Sequence, residues 1–363
     1  MKEIKIKKII FFGGDYNNSG GTERVSSLIL NRLASEGYQI ILISAQRGDN
    51  PYYPISPNIK IYSLFKSKTR FLFRWPLLIF RLRQILLNER PDYIVGVESM
   101  TSLFIVPANL GLPAKLLCWE HFHFNNHNGH YARKIARIIA ARYCDDIVTL
   151  TQKDLICWKR SIKLKSKIHN IPNPCPFDLQ EFDFSKKNEN MVIAVGRLTK
   201  VKGFDRLLLA WAEISSYCPE WSLKILGDGE DRETLIAISN RLNISNSVEF
   251  ISHTSDIQDY YKRASVFCLS SRYEGFPMVL LEAAAFGVPV VSFDCENGPA
   301  EILAGTGASL VIQNDVYGFS QSLLRFIKDS DLRRCVGIAQ RNRIKAFAIG
   351  NIIEKWIKIF ESR

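Results

Sequence analysis

Two acidic residues lie eight positions apart in one short stretch of the chain. Glu274 belongs to a polar loop, residues 270–276, and Glu282 stands inside an apolar run of helical composition. A carboxylate in a loop can hydrogen-bond a ligand or attack it as a nucleophile. Within an apolar helix a carboxylate is costly unless it is paired. Glu282 therefore needs either an internal salt bridge or capping bond, or the hydroxyl groups of a ligand such as a ribose.

The elements around these acids follow a strand–loop–helix–strand pattern. Pro277 at the start and Gly287 at the end are typical of helix boundaries, and the apolar runs 264–269 and 288–293 predict buried strands. This is half of a doubly wound α/β sheet, in which ligands bind at the carboxyl ends of the strands. The free N–H groups of a helix that begins there favour an anion such as phosphate.

Two basic residues flank another predicted strand-to-helix turn, which follows a strand over residues 191–195. Arg197 offers a planar fork of donors and Lys202 a point charge, a combination suited to a diphosphate. Solvated surface cations are the alternative for this pair.

The first half of the chain offers further candidates beside predicted strands. Gly20 and Gly21 follow the first strand and let backbone approach a ligand closely, although an ordinary tight turn has the same composition. His121 follows a strand that ends at Trp119, and a purely structural histidine is the alternative there.

These residues carry a resemblance to a known family. Glu274-Gly-Phe-Pro with Glu282, together with the motif Gly-Arg-Leu-x-x-x-Lys-Gly at 196–203, resembles the retaining glycosyltransferases of family 4. The similarity is greatest to bacterial enzymes that extend lipid-linked or lipopolysaccharide sugars. It implies an α/β fold with two facing, doubly wound Rossmann-like domains (GT-B) and an active site in the interdomain cleft.

The resemblance also implies roles for individual residues. In the family the first Glu lies beside the donor sugar, the second binds the nucleotide ribose, and the Arg–Lys pair binds the diphosphate. The implied catalytic residues are Glu274, His121, Arg197 and Lys202. The implied donor-binding residues are Gly20, Gly21, Arg197, Lys202, Gly229, His253, Glu274, Gly275, Phe276, Pro277 and Glu282. The implied acceptor-binding residues are Arg24 and Glu120. The sequence leaves open whether Glu274 is a nucleophile or the acceptor attacks from the front side.

The length of 363 residues predicts two domains. We expect an N-terminal acceptor domain over residues 1–182 and a nucleotide-sugar domain over 183–349. The polar residues 183–190 are the expected linker, and the final helix, 350–363, is expected to pack back on the first domain.

The formal net charge of +12 predicts anionic partners, but no nucleic-acid motif accompanies it. Residues 65–87 interleave basic with aromatic and aliphatic side chains, which suits an anionic membrane surface; an ordinary helix packed on the sheet is the alternative. No run is long enough to span a bilayer. The eight cysteines form no Cys-x-x-Cys pair, which favours reduced cytosolic thiols.

A metal cofactor is not expected. The histidines 121, 123 and 127 are irregularly spaced and no further ligand follows them in the right pattern. The resembling enzymes are metal-independent, and the nucleotide sugar is a co-substrate.

The sequence therefore predicts transfer of a hexose or N-acetylhexosamine from a nucleotide sugar, favoured as UDP-linked, to a hydroxyl of a lipid-linked saccharide. The expected setting is the synthesis of bacterial O-antigen, lipopolysaccharide or capsule by a cytoplasmic enzyme on the inner face of the inner membrane. The alternatives are a GT-B sugar-nucleotide epimerase and a non-catalytic sugar-nucleotide-binding scaffold.

Overall fold

The computed structural model describes residues 6–67, 74–126, 131–179, 190–252, 254 and 256–362. The chain forms two compact units, Met1–Pro174 with Ile349–Arg363, and Cys175–Ala348. The division expected from the sequence is at 182/183. The observed division lies earlier because the chain joins the second unit directly after Pro174. The Cys175 N–H donates to the Phe347 carbonyl (2.7 Å), and Phe177 packs on Phe286.

The first unit is built on a seven-stranded parallel sheet. Its strands are β1 (Lys8–Gly13), β2 (Gln39–Ser44), β3 (Lys60–Ser63), β4 (Tyr93–Val97), β5 (Lys115–Trp119), β6 (Asp146–Thr149) and β7 (Lys167–Asn170). Their order across the sheet is β3-β2-β1-β4-β5-β6-β7. The central strands are apolar along their whole length because helices cover both of their faces.

The helices of the first unit come from both ends of the chain. They are α1 (Gly21–Ser35), α2 (Trp75–Glu89), α3 (Ser102–Ala108), α4 (Tyr131–Tyr143), α5 (Gln152–Ser161) and the last helix, α13 (Ile349–Glu361). Ile10 and Phe12 share one core with α2, α3 and α4, whereas Phe11 packs against Trp356 of α13 with 6.3 Å between ring centroids. The last helix therefore belongs to the first unit.

The second unit repeats this plan with six parallel strands. They are β8 (Met191–Val195), β9 (Ser222–Leu226), β10 (Val248–Ile251), β11 (Val266–Leu269), β12 (Val290–Phe293) and β13 (Ser309–Val311), in the order β10-β9-β8-β11-β12-β13. Its helices are α6 (Phe204–Ile214), α7 (Arg232–Arg241), α8 (Ile257–Arg263), α9 (Met278–Ala285), α10 (Pro299–Ile302), α11 (Val316–Lys328) and α12 (Ser330–Ile344).

Both sheets confirm the predicted doubly wound α/β class. In each sheet the strand order reverses at one point, between β1 and β4 in the first unit and between β8 and β11 in the second. Open α/β sheets bind ligands at such switch points, outside the carboxyl ends of the strands. The four loops that follow these strands are therefore where a site is expected. Within the described part of the chain, no helix is long and apolar enough to cross a bilayer.

The two loops at the second switch point touch through a glycine. Gly203 has the left-handed φ of 65°, and a methyl group on it would overlap the carbonyl oxygen of Ser270. Only glycine therefore allows the β8 loop to close onto the β11 loop.

We predict that Gly203→Ala destabilises the protein more than Gly305→Ala does. Gly305 has a similar φ of 73° but no atom near its missing side chain, so it reports the cost of the backbone conformation alone. That cost is about 1–2 kcal/mol, and the overlap with Ser270 should add about 1–3 kcal/mol. Urea unfolding followed by tryptophan fluorescence measures both. Equal losses of stability would show that the two loops separate without cost.

Candidate functional site

The loops after β8 and β11 are joined by hydrogen bonds as well as by close packing. Ser270 Oγ donates to the Lys202 carbonyl (2.8 Å), and the buried Arg206 donates to the Ser270 carbonyl (2.6 Å). Arg272 closes the outer side with two bonds to the Asp205 carboxylate, at 2.8 and 2.7 Å. These bonds from Arg272 hold the pKa of Asp205 below its usual value. The two loops form one rigid rim because each carries donors for the other.

This rim brings together two of the predicted site residues. The Lys202 ammonium lies 2.6 Å from Oε1 of Glu274, and Ser271 Oγ donates to the same oxygen at 2.6 Å. The lysine stem lies over Gly196, within 3.5 Å of where a side chain would begin. Both ends of the pair are partly accessible, with 24% of the Lys202 and 11% of the Glu274 side chain exposed. A ligand can therefore reach the pair without unfolding the rim.

The other basic residue of the predicted diphosphate site is separate from this pair. Arg197 is exposed, and among the residues that the structure describes it has no ion-pair partner. It follows the same strand as Lys202, so both cations belong to the β8 loop. The structure thus leaves one cation open to solvent and engages the other with a carboxylate.

Gly229 has a packing role in the structure. It begins the segment before α7, and a methyl group on it would overlap the Leu198 carbonyl. The close approach of the β9 loop to the β8 loop therefore requires glycine here. Its predicted contact with the donor stays a prediction.

Glu282 has the internal partner that its burial demands. Its side chain lies in α9, 3% of the residue is exposed, and Oε2 accepts a hydrogen bond from the Tyr261 hydroxyl at 2.8 Å. The Tyr261 ring is itself stacked on Phe286, with 5.8 Å between centroids. This bond from a hydroxyl is a different internal partner from the salt bridge or capping bond considered from the sequence, and the bond to a ribose stays a prediction. The sequence did not indicate Tyr261 as the partner of Glu282, because α8 has no distinctive pattern.

The segment between the ion pair and α9 contains the remaining donor candidates of this unit. Gly275 is partly exposed, whereas Phe276 and Pro277 are buried, and Pro277 stands at the N-cap position of α9. These three residues carry the chain from Glu274 into the helix of Glu282. His253, also predicted to bind the donor, lies outside the described residues.

In the first unit the loop after β1 leads directly into α1. Gly20 is the N-cap residue of α1 and Gly21 its first residue. Arg24 lies in the first turn and is half-buried. Asp15 anchors the preceding loop by accepting bonds from Arg47 Nε (2.7 Å) and Nη2. The predicted glycines thus stand at a helix N-terminus, where backbone N–H groups favour an anion.

Glu120 and His121 begin the loop after β5. Glu120 is 1% exposed, and its carboxylate accepts from Arg137 Nε (2.8 Å) and from the backbone N–H of His121 and Phe122, both at 3.1 Å. This arrangement shapes the loop that presents His121. The predicted contact of Glu120 with an acceptor stays a prediction.

The imidazole of His121 is buried against the Trp119 ring, with 4.4 Å between centroids. Burial lowers the pKa of His121 to about 4, so the ring is neutral at physiological pH. Its Nε2 has no hydrogen-bond partner among the described residues. A neutral imidazole with an open nitrogen can hydrogen-bond a ligand hydroxyl.

The structure adds Glu98, which sequence analysis missed. It directly follows β4 at the switch point of the first sheet and has φ 77° and ψ 143°, a conformation that non-glycine residues rarely adopt. Its Oε1 lies 2.7 Å from Nη1 of the buried Arg133. Burial, only partly offset by the Arg133 charge, raises the pKa of Glu98 to about 7. Nothing in the local sequence marks this glutamate, because its position depends on the strand order.

Of the two remaining histidines of the predicted cluster, the structure describes His123. His123 Nε2 lies 3.7 Å from Cys157 Sγ and 3.9 Å from Asp154 Oδ1, and His127 lies outside the described residues. No group of three or more His, Cys, Asp or Glu is placed to bind a metal in residues 6–126 and 131–362 as far as the structure describes them. Independence from metal ions stays a prediction.

Comparison with known proteins identifies the class to which these two units belong. The family model for glycosyl transferases group 1 matches residues 177–343, and that for glycosyltransferase family 4 matches residues 19–179. An uncharacterized glycosyltransferase of Haemophilus influenzae is 33% identical over 97% of this chain and 99% of its own. The chain therefore belongs to the family 4 glycosyltransferases and is a transferase enzyme.

Two further relatives have named activities. The amylovoran biosynthesis glycosyltransferase AmsD of Erwinia amylovora is 32% identical, over 96% of this chain and 98% of its own. A Campylobacter jejuni enzyme, the GalNAc-α-(1→4)-GalNAc-α-(1→3)-diNAcBac-PP-undecaprenol α-1,4-N-acetyl-D-galactosaminyltransferase, is 27% identical over 94% of this chain and 95% of its own. The chain is thus related over nearly its full length to bacterial polysaccharide and oligosaccharide glycosyltransferases.

Solved structures show the same fold. The apo form of the lipopolysaccharide outer core galactosyltransferase WaaB has a TM-score of 0.77 at 24% identity, covering 97% of this chain and 99% of its own. Anabaena HepE in complex with UDP-glucose has a TM-score of 0.80 at 18% identity, covering 98% and 100%. The predicted GT-B fold is confirmed.

We predict that the raised pKa of Glu98 makes stability depend on pH. Between about pH 4.5 and 7 the folded protein retains a proton that the unfolded chain has released, so the free energy of unfolding falls as pH rises. Glu98→Gln removes this contribution. The wild type should therefore lose on the order of 2 kcal/mol relative to Glu98→Gln between pH 5 and 8, measured by urea unfolding. The surface variant Glu36→Gln serves as the control. Parallel pH profiles for wild type and Glu98→Gln would contradict the prediction.

Proposed function

We propose that this glycosyltransferase transfers a hexose or N-acetylhexosamine from a UDP-sugar, with retention of configuration, to a hydroxyl of a lipid-linked saccharide. The observation that carries the proposal is the Lys202–Glu274 ion pair at the switch point of the second unit, with the exposed Arg197 in the same loop. A carboxylate paired with one cation, with a second cation in the same loop, suits a neutral sugar joined to an anionic diphosphate.

Arg197, Lys202 and Glu274 each have a role in the proposed reaction. Arg197 and Lys202 offset the charge that builds on the diphosphate as its bond to the sugar breaks. The oxygen of the acceptor hydroxyl bonds to the same sugar carbon, and its proton passes to an oxygen of the leaving diphosphate. Glu274 positions the sugar through Oε2, because Lys202 and Ser271 both occupy Oε1.

The geometry favours front-side attack over a covalent intermediate. Ion pairing and hydrogen bonds make a carboxylate a weaker nucleophile, because they stabilise the negative charge that would attack the sugar. Oε1 of Glu274 already accepts hydrogen bonds from the Lys202 ammonium and the Ser271 hydroxyl, each at 2.6 Å. These bonds disperse the charge of the carboxylate and fix its orientation. We therefore assign Glu274 to sugar positioning and not to attack.

The proposed donor and acceptor are drawn from the relatives. HepE, which shares the fold, binds UDP-glucose, and the Campylobacter enzyme acts on a saccharide carried by PP-undecaprenol. A UDP-sugar and a polyprenyl-diphosphate or lipopolysaccharide acceptor are therefore proposed here, with the neutral His121 and the α1 N-terminus on the acceptor-domain side. The family's independence from metal ions is proposed for this chain as well.

An enzyme that acts on a lipid-linked acceptor must bind at the membrane. The surface of α4 is better suited to this than residues 65–87. Its inner face carries Arg133 and Arg137, paired with glutamates, while its outer face exposes several apolar residues. Tyr131 is 90% exposed, and Ile135 and Ile138 are also exposed. Lys134 and Arg142 lie on the same outward side. This combination of exposed apolar and basic side chains suits insertion into an anionic bilayer surface.

The segment predicted from sequence to bind lipid, residues 65–87, is less suitable. Residues 68–73 lie outside the described part of the chain. In α2, Arg81 donates to the Leu64 carbonyl, and Arg83 donates to the carbonyls of Ala108 (2.9 Å) and Leu110 (2.8 Å). These arginines are engaged with backbone, which favours the alternative of a helix packed on the sheet. We propose that α4 docks the enzyme on the cytoplasmic face of the inner membrane.

We predict that Glu274→Gln lowers kcat at least about 100-fold, the loss typical for removal of one charge-positioning group, while the Kd for UDP changes less than about threefold. Release of UDP from UDP-sugars, with synthetic polyprenyl-diphosphate saccharides as acceptors, measures turnover. Glu249→Gln is the matched control, since Glu249 pairs with Lys224 (3.0 Å) in the same unit, away from the switch point. Undiminished turnover in Glu274→Gln would refute its role. Release of UDP without any acceptor would favour the epimerase alternative.

We predict that Lys134→Ser/Ile135→Ser/Ile138→Ser weakens binding to vesicles of anionic phospholipid at least about tenfold. One cation near the membrane surface contributes about 1 kcal/mol of binding free energy. The two Ile side chains, which would be buried in the bilayer, contribute more. The control is Ile312→Ser/Arg334→Ser/Ile338→Ser, which removes the same residue classes from exposed positions of the second unit. Sedimentation with vesicles measures both. Equal binding of the two triple variants would exclude α4 as the docking surface, and self-association lost only in the first would identify a dimer contact.

A further inference from the structure

Two consecutive serines directly follow β11, and each of them bonds one half of the charged pair. Ser270 Oγ donates to the backbone carbonyl of Lys202 at 2.8 Å, whereas Ser271 Oγ donates to Oε1 of Glu274 at 2.6 Å. Both serines are 1% exposed. The first serine therefore fixes the backbone that carries the lysine, and the second bonds the glutamate carboxylate itself.

The backbone of Ser271 is held from the segment that follows β13. Gln313 Nε2 donates to the Ser271 carbonyl at 3.3 Å. Arg206 donates both to the Gln313 side chain (3.0 Å) and to the Ser270 carbonyl (2.6 Å). Because the carbonyls of both serines are engaged, the Ser271 hydroxyl extends from a fixed backbone on a single carbon.

The two donors on Oε1 of Glu274 differ in how firmly they direct the carboxylate. The Lys202 ammonium is a point charge on a flexible four-carbon stem and has three rotatable donors. The Ser271 hydroxyl is neutral, has one donor, and belongs to a short, buried side chain. A carboxylate held by the lysine alone would follow the ammonium, whereas the serine keeps one carboxylate oxygen in place.

This difference matters once a diphosphate is bound. In the proposed reaction Lys202 also binds the donor diphosphate, which competes with the Glu274 carboxylate for the same positive charge. The Ser271 hydroxyl carries no charge for the diphosphate to attract. If it left Oε1, a buried donor would lose its acceptor, which is unfavourable. The bond from Ser271 is therefore the one that persists while the lysine serves the leaving group.

We propose that Ser271 is a positioning residue, whose hydroxyl holds Oε1 of Glu274 while Lys202 engages the diphosphate, so that Oε2 stays directed at the sugar. The proposal rests on the proposed function, because it requires a nucleotide sugar at the Lys202–Glu274 pair. Ser271 acts through Glu274 and does not itself contact the substrate.

Turnover and UDP binding by Ser271→Ala test the proposal. Its kcat should fall about tenfold or more, as expected for the loss of one hydrogen bond to a charged group, while the Kd for UDP changes less than about threefold. Ser271→Thr keeps the hydroxyl and should recover most of the lost turnover. Release of UDP measures kcat, and isothermal titration measures Kd and shows that each variant is folded.

Ser320→Ala is the matched control, because Ser320 makes the same kind of bond outside the site. Ser320 is fully buried, and its Oγ donates to Oε2 of Glu213 at 2.6 Å, between α11 and α6. Ser320→Ala should lower the thermal midpoint and leave kcat at the wild-type value. The two alanine variants each remove a serine–glutamate bond, so they differ in which glutamate is released.

A double-mutant cycle separates positioning from a general effect on the loop. Without the Glu274 carboxylate, Ser271 has no group to orient, so Ser271→Ala should lower the kcat of Glu274→Ala by less than about threefold. An equal loss of turnover from Ser271→Ala in the wild type and in Glu274→Ala would show a role independent of Glu274 and overturn the proposal.

The remaining outcomes separate this proposal from the proposed function. Wild-type kcat in Ser271→Ala would overturn the role of Ser271 and leave the proposed function intact. A loss of UDP affinity equal to the loss of turnover would do the same, and so would a Ser271→Thr variant that binds UDP but is as slow as Ser271→Ala. A wild-type protein that releases UDP from no UDP-sugar, with or without acceptor, would overturn both.

Discussion

The close approach of two loops, after β8 and after β11, is the constraint on which the candidate site depends. Lys202 and Glu274 are 72 residues apart in sequence, yet their side chains meet at 2.6 Å. The contact requires a glycine at 203, where no side chain fits, and the buried Arg206, which donates to the Ser270 carbonyl. Arg206 also donates to Asn314 (2.8 Å) and lies over the Phe293 ring at 4.3 Å. Burial lowers its pKa, and the bonds to oxygen atoms compensate for that burial. The charged pair is thus preorganised before any ligand binds.

In the first unit, ion pairs between a helix and the ends of two strands shape the sheet edge. Two arginines one helical turn apart on the inner face of α4, Arg133 and Arg137, pair with Glu98 and Glu120 at the ends of β4 and β5. A ring stacks on the first of them, with the Phe122 centroid 4.0 Å from the Arg133 guanidinium. The buried face of α4 holds these two arginines with small alanines, and the exposed face carries Ile135 and Ile138 beside two cations. One arrangement therefore shapes the edge that presents His121 and also leaves the apolar surface proposed to meet the membrane.

Local patterns predicted those elements whose residues carry their own signal. β8 has the predicted bounds, since a short apolar run between polar residues needs no distant information. Thr151 caps α5 by accepting from the Asp154 N–H at 3.1 Å, as its residue type predicts. Elements without such a signal were missed: three of the four residues of β7 are polar, β13 is three residues long, and α8 is mostly polar. These form because neighbouring strands and helices provide their hydrogen bonds and packing.

The sequence by itself determined the family, the two doubly wound units and the group of Glu274, Arg197 and Lys202, because motif spacing around strand-to-helix turns is a local property. Only the tertiary structure decided which of these side chains meet. It pairs Lys202 with Glu274, leaves Arg197 exposed, and gives the buried Glu282 the Tyr261 hydroxyl as a partner. It also identifies Glu98, which no motif marks. Its environment arises from strand order and loop packing, so its burial and its pairing with Arg133 are set by residues distant in the chain.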